Sequence, residues 1–159
     1  MTKLGKFQSI MWSIALPGFS QLLTGQYFKG TLFVLSEITI NVCSHFNKAI
    51  MLSFLGEFSN ASSIVDYQWL MSYAFLYFFA MWDAYKYEMP ENEELAFLPF
   101  ASAAAFVTLG LIYSNVIKFF GQVLGPVFTP MIFVIPGLAS GFVIRYLLLN
   151  LSLKYKIKS

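Results

Sequence analysis

Long apolar stretches separated by short polar ones organise this chain. Four of them, approximately residues 31–55, 67–85, 98–120 and 128–151, are long and apolar enough to cross a bilayer, which takes roughly 17–25 residues per helix. Lipid cannot satisfy the backbone groups of an open strand, so all four are predicted to be helices. Residues 7–24 differ. Phe7, Ile10, Met11, Ile14 and Ala15 follow the spacing of one helical face, with Lys6, Ser9 and Ser13 opposite and Trp12 toward the flank. Pro17-Gly18 breaks that pattern. A helix of this kind is predicted to lie in the headgroup interface, or to dip in and return, rather than to cross.

Composition agrees with the pattern. Hydrophobic residues make up 58% of the chain and charged residues 11%, whereas a soluble domain carries about 25% charged residues. The chain cannot clothe itself in a hydrated surface. The fold class expected is an all-α integral membrane domain over residues 1–159, an interfacial or re-entrant amphipathic helix followed by four transmembrane helices. A net charge of +2 is too small to indicate nucleic acid, and the basic residues flank apolar runs. With a non-crossing first segment, Lys3, Lys6, Lys29, Lys86, Arg145, Lys154, Lys156 and Lys158 share a side, and only Lys48 and Lys118 lie opposite. Basic residues favour the cytoplasm, so both termini are predicted inside, residues 56–66 outside and residues 86–97 inside. Glu88, Glu91, Glu93 and Glu94 in the inner loop read as a solvated connector or, more sharply, as a docking patch for a basic partner. Lys3 and Lys6 ahead of an apolar stretch resemble a secretory signal. That stretch runs into Pro17-Gly18 instead of a small-x-small cleavage site, so the segment is expected to be retained. Cys43 is the sole cysteine, which excludes an intramolecular disulfide.

The densest motif is Pro17-Gly18-Phe19-Ser20-Gln21 followed by Gly25-Gln26-Tyr27-Phe28-Lys29-Gly30. Proline stops the first helix and glycines permit backbone angles that other residues resist. Gln21 and Gln26 are suited to capping the freed backbone groups, and Lys29 to reaching water or lipid phosphate. The segment reads as a hairpin introducing the next span, or as a re-entrant element facing a substrate. With Asp83-Ala84 at the end of residues 67–85, it resembles the two-transmembrane-helix domain family, small prokaryotic membrane proteins with a PGxGQ-type opening and an Asp-Ala ending. The resemblance covers residues 8–86. Ser20 stands where the family usually has glycine and Leu23 where it usually has an aromatic. It implies a topology rather than an activity.

Glu37, Asn41, Ser44, His45 and Lys48 fall within about a third of a helix circumference. Charged groups within spans usually face the bundle or a water-filled cavity. Two readings stand: Glu37, Asp83 and His45 form part of a proton or ion path, or Glu37 pairs with Arg145 as a structural ion pair. Small residues make a further pattern, with Ala101, Ala105 and Thr108 on one side of the third span and Gly137, Ser140 and Gly141 on one side of the fourth. Gly137-x-x-x-Gly141 permits close helix approach, and Pro130 and Pro136 are expected to kink the same helix.

No nucleophile elbow, HExxH zinc signature or phosphate loop is present, and one histidine is too few for a hydrolytic metal site. No catalytic residue, cofactor or metal is therefore expected. The leading expectation is a non-enzymatic accessory, assembly or immunity-type membrane component acting through helix packing. Its partners would be the bilayer and another membrane protein or a second copy of itself. The alternative is a small oligomeric transporter or channel using the Glu37, Asn41 and His45 stripe.

Overall fold

Helix boundaries in this chain are set by a few identifiable residues. The structure, a computed structural model, describes residues 4–89 and 93–158, with side chains to residue 154. Its elements are α1 (Lys6–Ala15), α2 (Phe19–Leu23), α3 (Tyr27–Ser44), α4 (Phe46–Phe54), α5 (Phe58–Ile64), α6 (Tyr67–Glu88), α7 (Leu98–Ile112), the two-residue strands β1 (Lys118–Phe119) and β2 (Gln122–Val123), and α8 (Gly125–Lys158). Leu16 is extended and Gly18 left-handed, and between them they end α1 at the Pro17-Gly18 step. Asp66 caps α6 by accepting from the amides of Gln68 (2.9 Å) and Trp69 (3.4 Å), satisfying donors that a helix start leaves open. Pro99 lies in the first turn of α7, where its missing N–H costs nothing.

The chain is mostly helical, and α3, α6, α7 and α8 run alternately up and down. Lys29 meets Asp83 at one end of the α3–α6 pair, while the Asp66 amide bonds to Ser44 O at the other (3.2 Å). Buried apolar residues form two clusters. One, around Ala49, Ala61, Leu70 and Leu111, joins α4, α5, α6 and α7. The other, around Phe78, Met81 and Ala103, joins α6 to α7, with Ile10, Val134 and Leu138 packed on it.

The exterior, more than the interior, departs from the standard of a soluble protein. Ser9, Ser13, Ser20, Gln21, Thr24, Asn41, Ser44, Ser53, Ser114 and Thr129 are buried, whereas Phe7 is 76% exposed, Phe28 84% and Ile135 72%. In water, large apolar side chains bury and polar ones surface, and an apolar exterior this extensive marks a surface that contacts something other than water. The face of α1 carrying Phe7, Met11 and Ile14 points outward, and Ser9 and Ser13 turn in toward α6.

Among the described residues one helix, Gly125–Lys154 within α8, is long and apolar enough to cross a membrane, with a mean hydropathy of 2.0 over its best window. The other expected spans depart from that measure for physical reasons. Residues 31–55 are two helices, because His45 adopts a left-handed conformation (φ 56°) between α3 and α4. Residues 98–120 stop being helical after Ile112, and a hairpin closes through Phe120 and Gly121. That leaves α7 at 15 residues. The last helix begins at Gly125, not 128, extends past 151 and continues through both prolines. Residues 56–66 hold α5 instead of an unstructured loop. Lys3 and Glu91 lie outside the described residues, as do the side chains of Lys156 and Lys158.

Candidate functional site

The two halves of the sequence motif meet. Gly18 has φ 95°, and a Cβ there would sit 2.5 Å from Gly30 O and 2.8 Å from Phe33 Cβ. Only glycine therefore lets the turn press against α3. The short helix α2 is then held by Thr24, whose hydroxyl donates to Ser20 O (3.0 Å) and Gln21 O (3.2 Å). The Gln26 amide donates to Gln21 O (2.8 Å) and its side chain to the Thr24 hydroxyl (3.2 Å). This folding aims Gln21 into the bundle. Its Nε2 donates to Ala80 O (2.9 Å) and to Asp83 Oδ2 (3.2 Å), while Lys29 Nζ donates to Asp83 Oδ1 (2.8 Å). Gln26 thus serves the turn as expected, but Gln21 reaches another helix. Lys29 pairs with Asp83, where water or lipid phosphate was expected.

The polar stripe holds together from Glu37 to Ser44 and parts at His45. Asn41 Nδ2 donates to Glu37 Oε1 (3.2 Å), and its Oδ1 accepts from the Asn47 amide (3.0 Å). Asn41 therefore ties α3 to the start of α4 across the His45 corner. His45 is exposed at that corner, a conformation histidine tolerates better than most residues. Arg145 does not pair with Glu37: its Nε donates to Glu94 O (3.1 Å), at the opposite end of α7 from the His45 corner. The expected Glu37–Arg145 ion pair is corrected accordingly, and a charge swap between them has no rescue to offer.

The small-residue pattern is half right. A Cβ on Gly137 would meet Ala103 Cα at 2.8 Å, and one on Gly141 would meet Pro99 Cα at 2.5 Å, so both glycines sit in the α7–α8 seam. Ser140 belongs there too, bonding Ser102 (2.8 Å). Ala101 and Ala105 do not, for both are exposed; Ser102, Ala103 and Gly110 occupy the contact.

A further cluster escaped the sequence reading. Lys6 Nζ lies 2.6 Å from Glu93 Oε1, and the Tyr85 hydroxyl donates to Glu93 Oε2 (2.5 Å). The Leu4 amide donates to Glu88 Oε1 (3.2 Å), and Tyr77 donates its hydroxyl to Ile14 O at the end of α1. The acidic run is thus more than a solvated connector: Glu88 and Glu93 fasten the N-terminal helix. Repeated serines at Ser9 and Ser13 were the available signal, marking a small-residue seam on the side opposite the apolar face.

The hydrogen bond from Lys6, then that from Tyr85, holds the Glu93 carboxyl below its ordinary 4.5. The same bond holds Lys6 above 10.5. A lowered carboxylate value contributes stability above 4.5 that is lost as pH falls through it; a raised ammonium value contributes below 10.5 and is lost as pH rises. Both groups are solvent-accessible, so the effect is local. Hydrogen exchange of residues 4–16 in micelles is expected to accelerate as pH drops below 4.5, after correction for intrinsic rates, and Glu93→Gln should abolish that dependence. Among the described residues, no group of three or more His, Cys, Asp or Glu side chains is arranged to hold a metal. Comparison with family models, with curated proteins and with solved structures finds no match to this chain.

Proposed function

We propose that this chain is a non-enzymatic, multi-pass membrane protein, an accessory, assembly or immunity-type component that acts through its packed helices. In this reading α3 with α4, α6, α7 and α8 make four crossings, α1 dips in beside the inner half of α6 as the re-entrant element, and both termini are cytoplasmic. The carrying observation is the extensive apolar exterior, with large Phe, Leu, Ile and Val side chains exposed around an interior that holds serine, threonine and amide side chains as well as apolar ones. Charge placement supports the orientation. Lys6, Lys29, Lys86 and Arg145 gather at the end that carries Asp83, Glu88, Glu93 and Glu94, with Lys48 and Lys118 toward the other.

The Gln21–Asp83 bond gives the resemblance to the two-transmembrane-helix domain family a physical basis: the opening motif and the Asp-Ala ending are two sides of one contact. The alternative of an oligomeric transporter or channel draws less support. Asn41 is committed to a helix junction, His45 to a corner and Asp83 to Gln21 and Lys29.

Impermeant thiol labelling tests the reading, using single cysteines at Lys29 and Lys118 in a Cys43→Ser background. Position 118 should react in intact cells and position 29 only after lysis. Labelling of position 29 in intact cells would overturn the orientation, and conduction by purified protein in liposomes would restore the transport alternative.

A further inference from the structure

A cavity of about 710 Å³ opens between α1, α4, α6, α7 and α8, within the roughly 300–1,000 Å³ range of small-molecule sites. Along α8 it runs from Pro126 through Val134 and Leu138 to Arg145, about 28 Å at about 1.5 Å per helical residue. That length is close to a bilayer's full hydrocarbon core of about 30 Å, so an acyl chain entering from one leaflet occupies about the half of it next to Arg145. Ile10 and Ile14 of α1 form part of the wall, yet α1 packs on α6 and α2, and α8 on α7, α5 and α4. Among the described residues α1 and α8 are not one of the extensively packed helix pairs, so the cavity is open on the side between them, which in the membrane reading faces lipid.

Its chemistry is asymmetric. Among its lining residues Arg145 alone is charged, and the remaining polar ones are Tyr73, Tyr77 and Tyr85. Tyr77 and Tyr85 commit their hydroxyls to Ile14 O and Glu93, which leaves their rings as the surface they offer the cavity. Water finds few partners on such walls, and leaving them uncovered forfeits dispersion contacts. At the charged end, Arg145 uses Nε for Glu94 O; a guanidinium has five donors, so it retains others for an anion. Glu93, close by, is taken by Lys6 and Tyr85.

We propose that this cavity is a binding site for one phospholipid from the surrounding bilayer, with an acyl chain lying lengthwise between α6 and α8 and the phosphate on Arg145. The proposal rests on the membrane reading above and adds a ligand class to it. A planar fork of donors suits a phosphate diester, and a single cation at one end of an apolar slot matches the polarity of a phospholipid end to end.

Native mass spectrometry of the full chain, extracted from membranes in mild detergent, tests it. One phospholipid per chain should survive. Val134→Trp, which fills the slot, should abolish retention, while Ile135→Trp, on the exposed outer side of α8, should leave it intact and control for folding. Arg145→Gln should lower competition by phosphatidylglycerol about tenfold, the loss of one charge-assisted hydrogen bond, and leave competition by diacylglycerol unchanged. Membrane-extracted protein that carries no lipid, a lipid-free dimer, or equal retention by both tryptophan variants would overturn the site alone. Recovery of the chain in the soluble fraction would instead remove the membrane reading beneath it.

Discussion

Gly141→Leu is expected to lower the denaturation midpoint and cellular abundance more than any other single substitution in the α7–α8 seam. A Cβ at this position would stand 2.5 Å from Pro99 Cα, 2.8 Å from Leu98 O and 3.0 Å from Pro99 N. All three are backbone atoms, which cannot rotate aside as a side chain can. Overpacking a tight core costs about 1–3 kcal/mol, and leucine adds a whole isobutyl group where even a methyl has no room, so about 3 kcal/mol or more is expected. Gly137, opposed by Ala103 Cα at 2.8 Å and Phe106 Cβ at 2.9 Å, should follow with a smaller loss. Ala139→Leu lies on the exposed side of the same helix and should stay within about 0.5 kcal/mol of wild type. Reversible unfolding in mixed micelles reads all three. Equal midpoints for Gly141→Leu and Ala139→Leu would mean that the helices do not meet there.

Gln21→Leu and Asp83→Leu are each expected to cost about 1–3 kcal/mol, because each leaves the other's buried polar atom with one partner fewer. Together they should cost less than their sum by about 0.5–3 kcal/mol, since the second change removes a group that has already lost this contact, Gln21 keeping Ala80 O and Asp83 keeping Lys29 in the single variants. Lys29→Gln should matter far less. Its ammonium is half exposed, with the Lys29 side chain at 53%, and exposed ion pairs contribute little. A double-mutant cycle by the same unfolding assay checks the ordering. Strict additivity of Gln21→Leu and Asp83→Leu would break the link between the two motifs.

Particular residues explain which features could be read along the chain. The helical face of Phe7, Ile10, Met11 and Ile14 was legible because periodicity is local, and lipid versus water decides only which way it points. Pro17-Gly18 was legible as a stop because its chemistry acts within two residues. The meeting of Gln21 with Asp83 was not, since the contact depends on how α3 and α6 pair. Neither proline nor glycine marks the corner at His45, so residues 31–55 looked continuous. Val116, Ile117, Phe119 and Phe120 extended the apparent third span because these hairpin residues are as apolar as the helix before them. Glu37 and Arg145 seemed matched by depth alone; Asn41 and Glu94 O, close at hand in the fold, bond to them instead. The small-residue face of α7 was displaced by one position, from Ala101 to Ser102, because alanine is common on lipid-facing surfaces as well as in seams.

Nitroxide labels at Leu35, Phe75 and Val143, all outward-facing, measure the medium around the bundle directly. Reconstituted into bilayers, the three positions should relax strongly with dissolved oxygen and weakly with a water-soluble nickel chelate, the signature of a hydrocarbon environment. Strong nickel relaxation at all three would place them in water and contradict the lipid-facing apolar exterior on which the account stands.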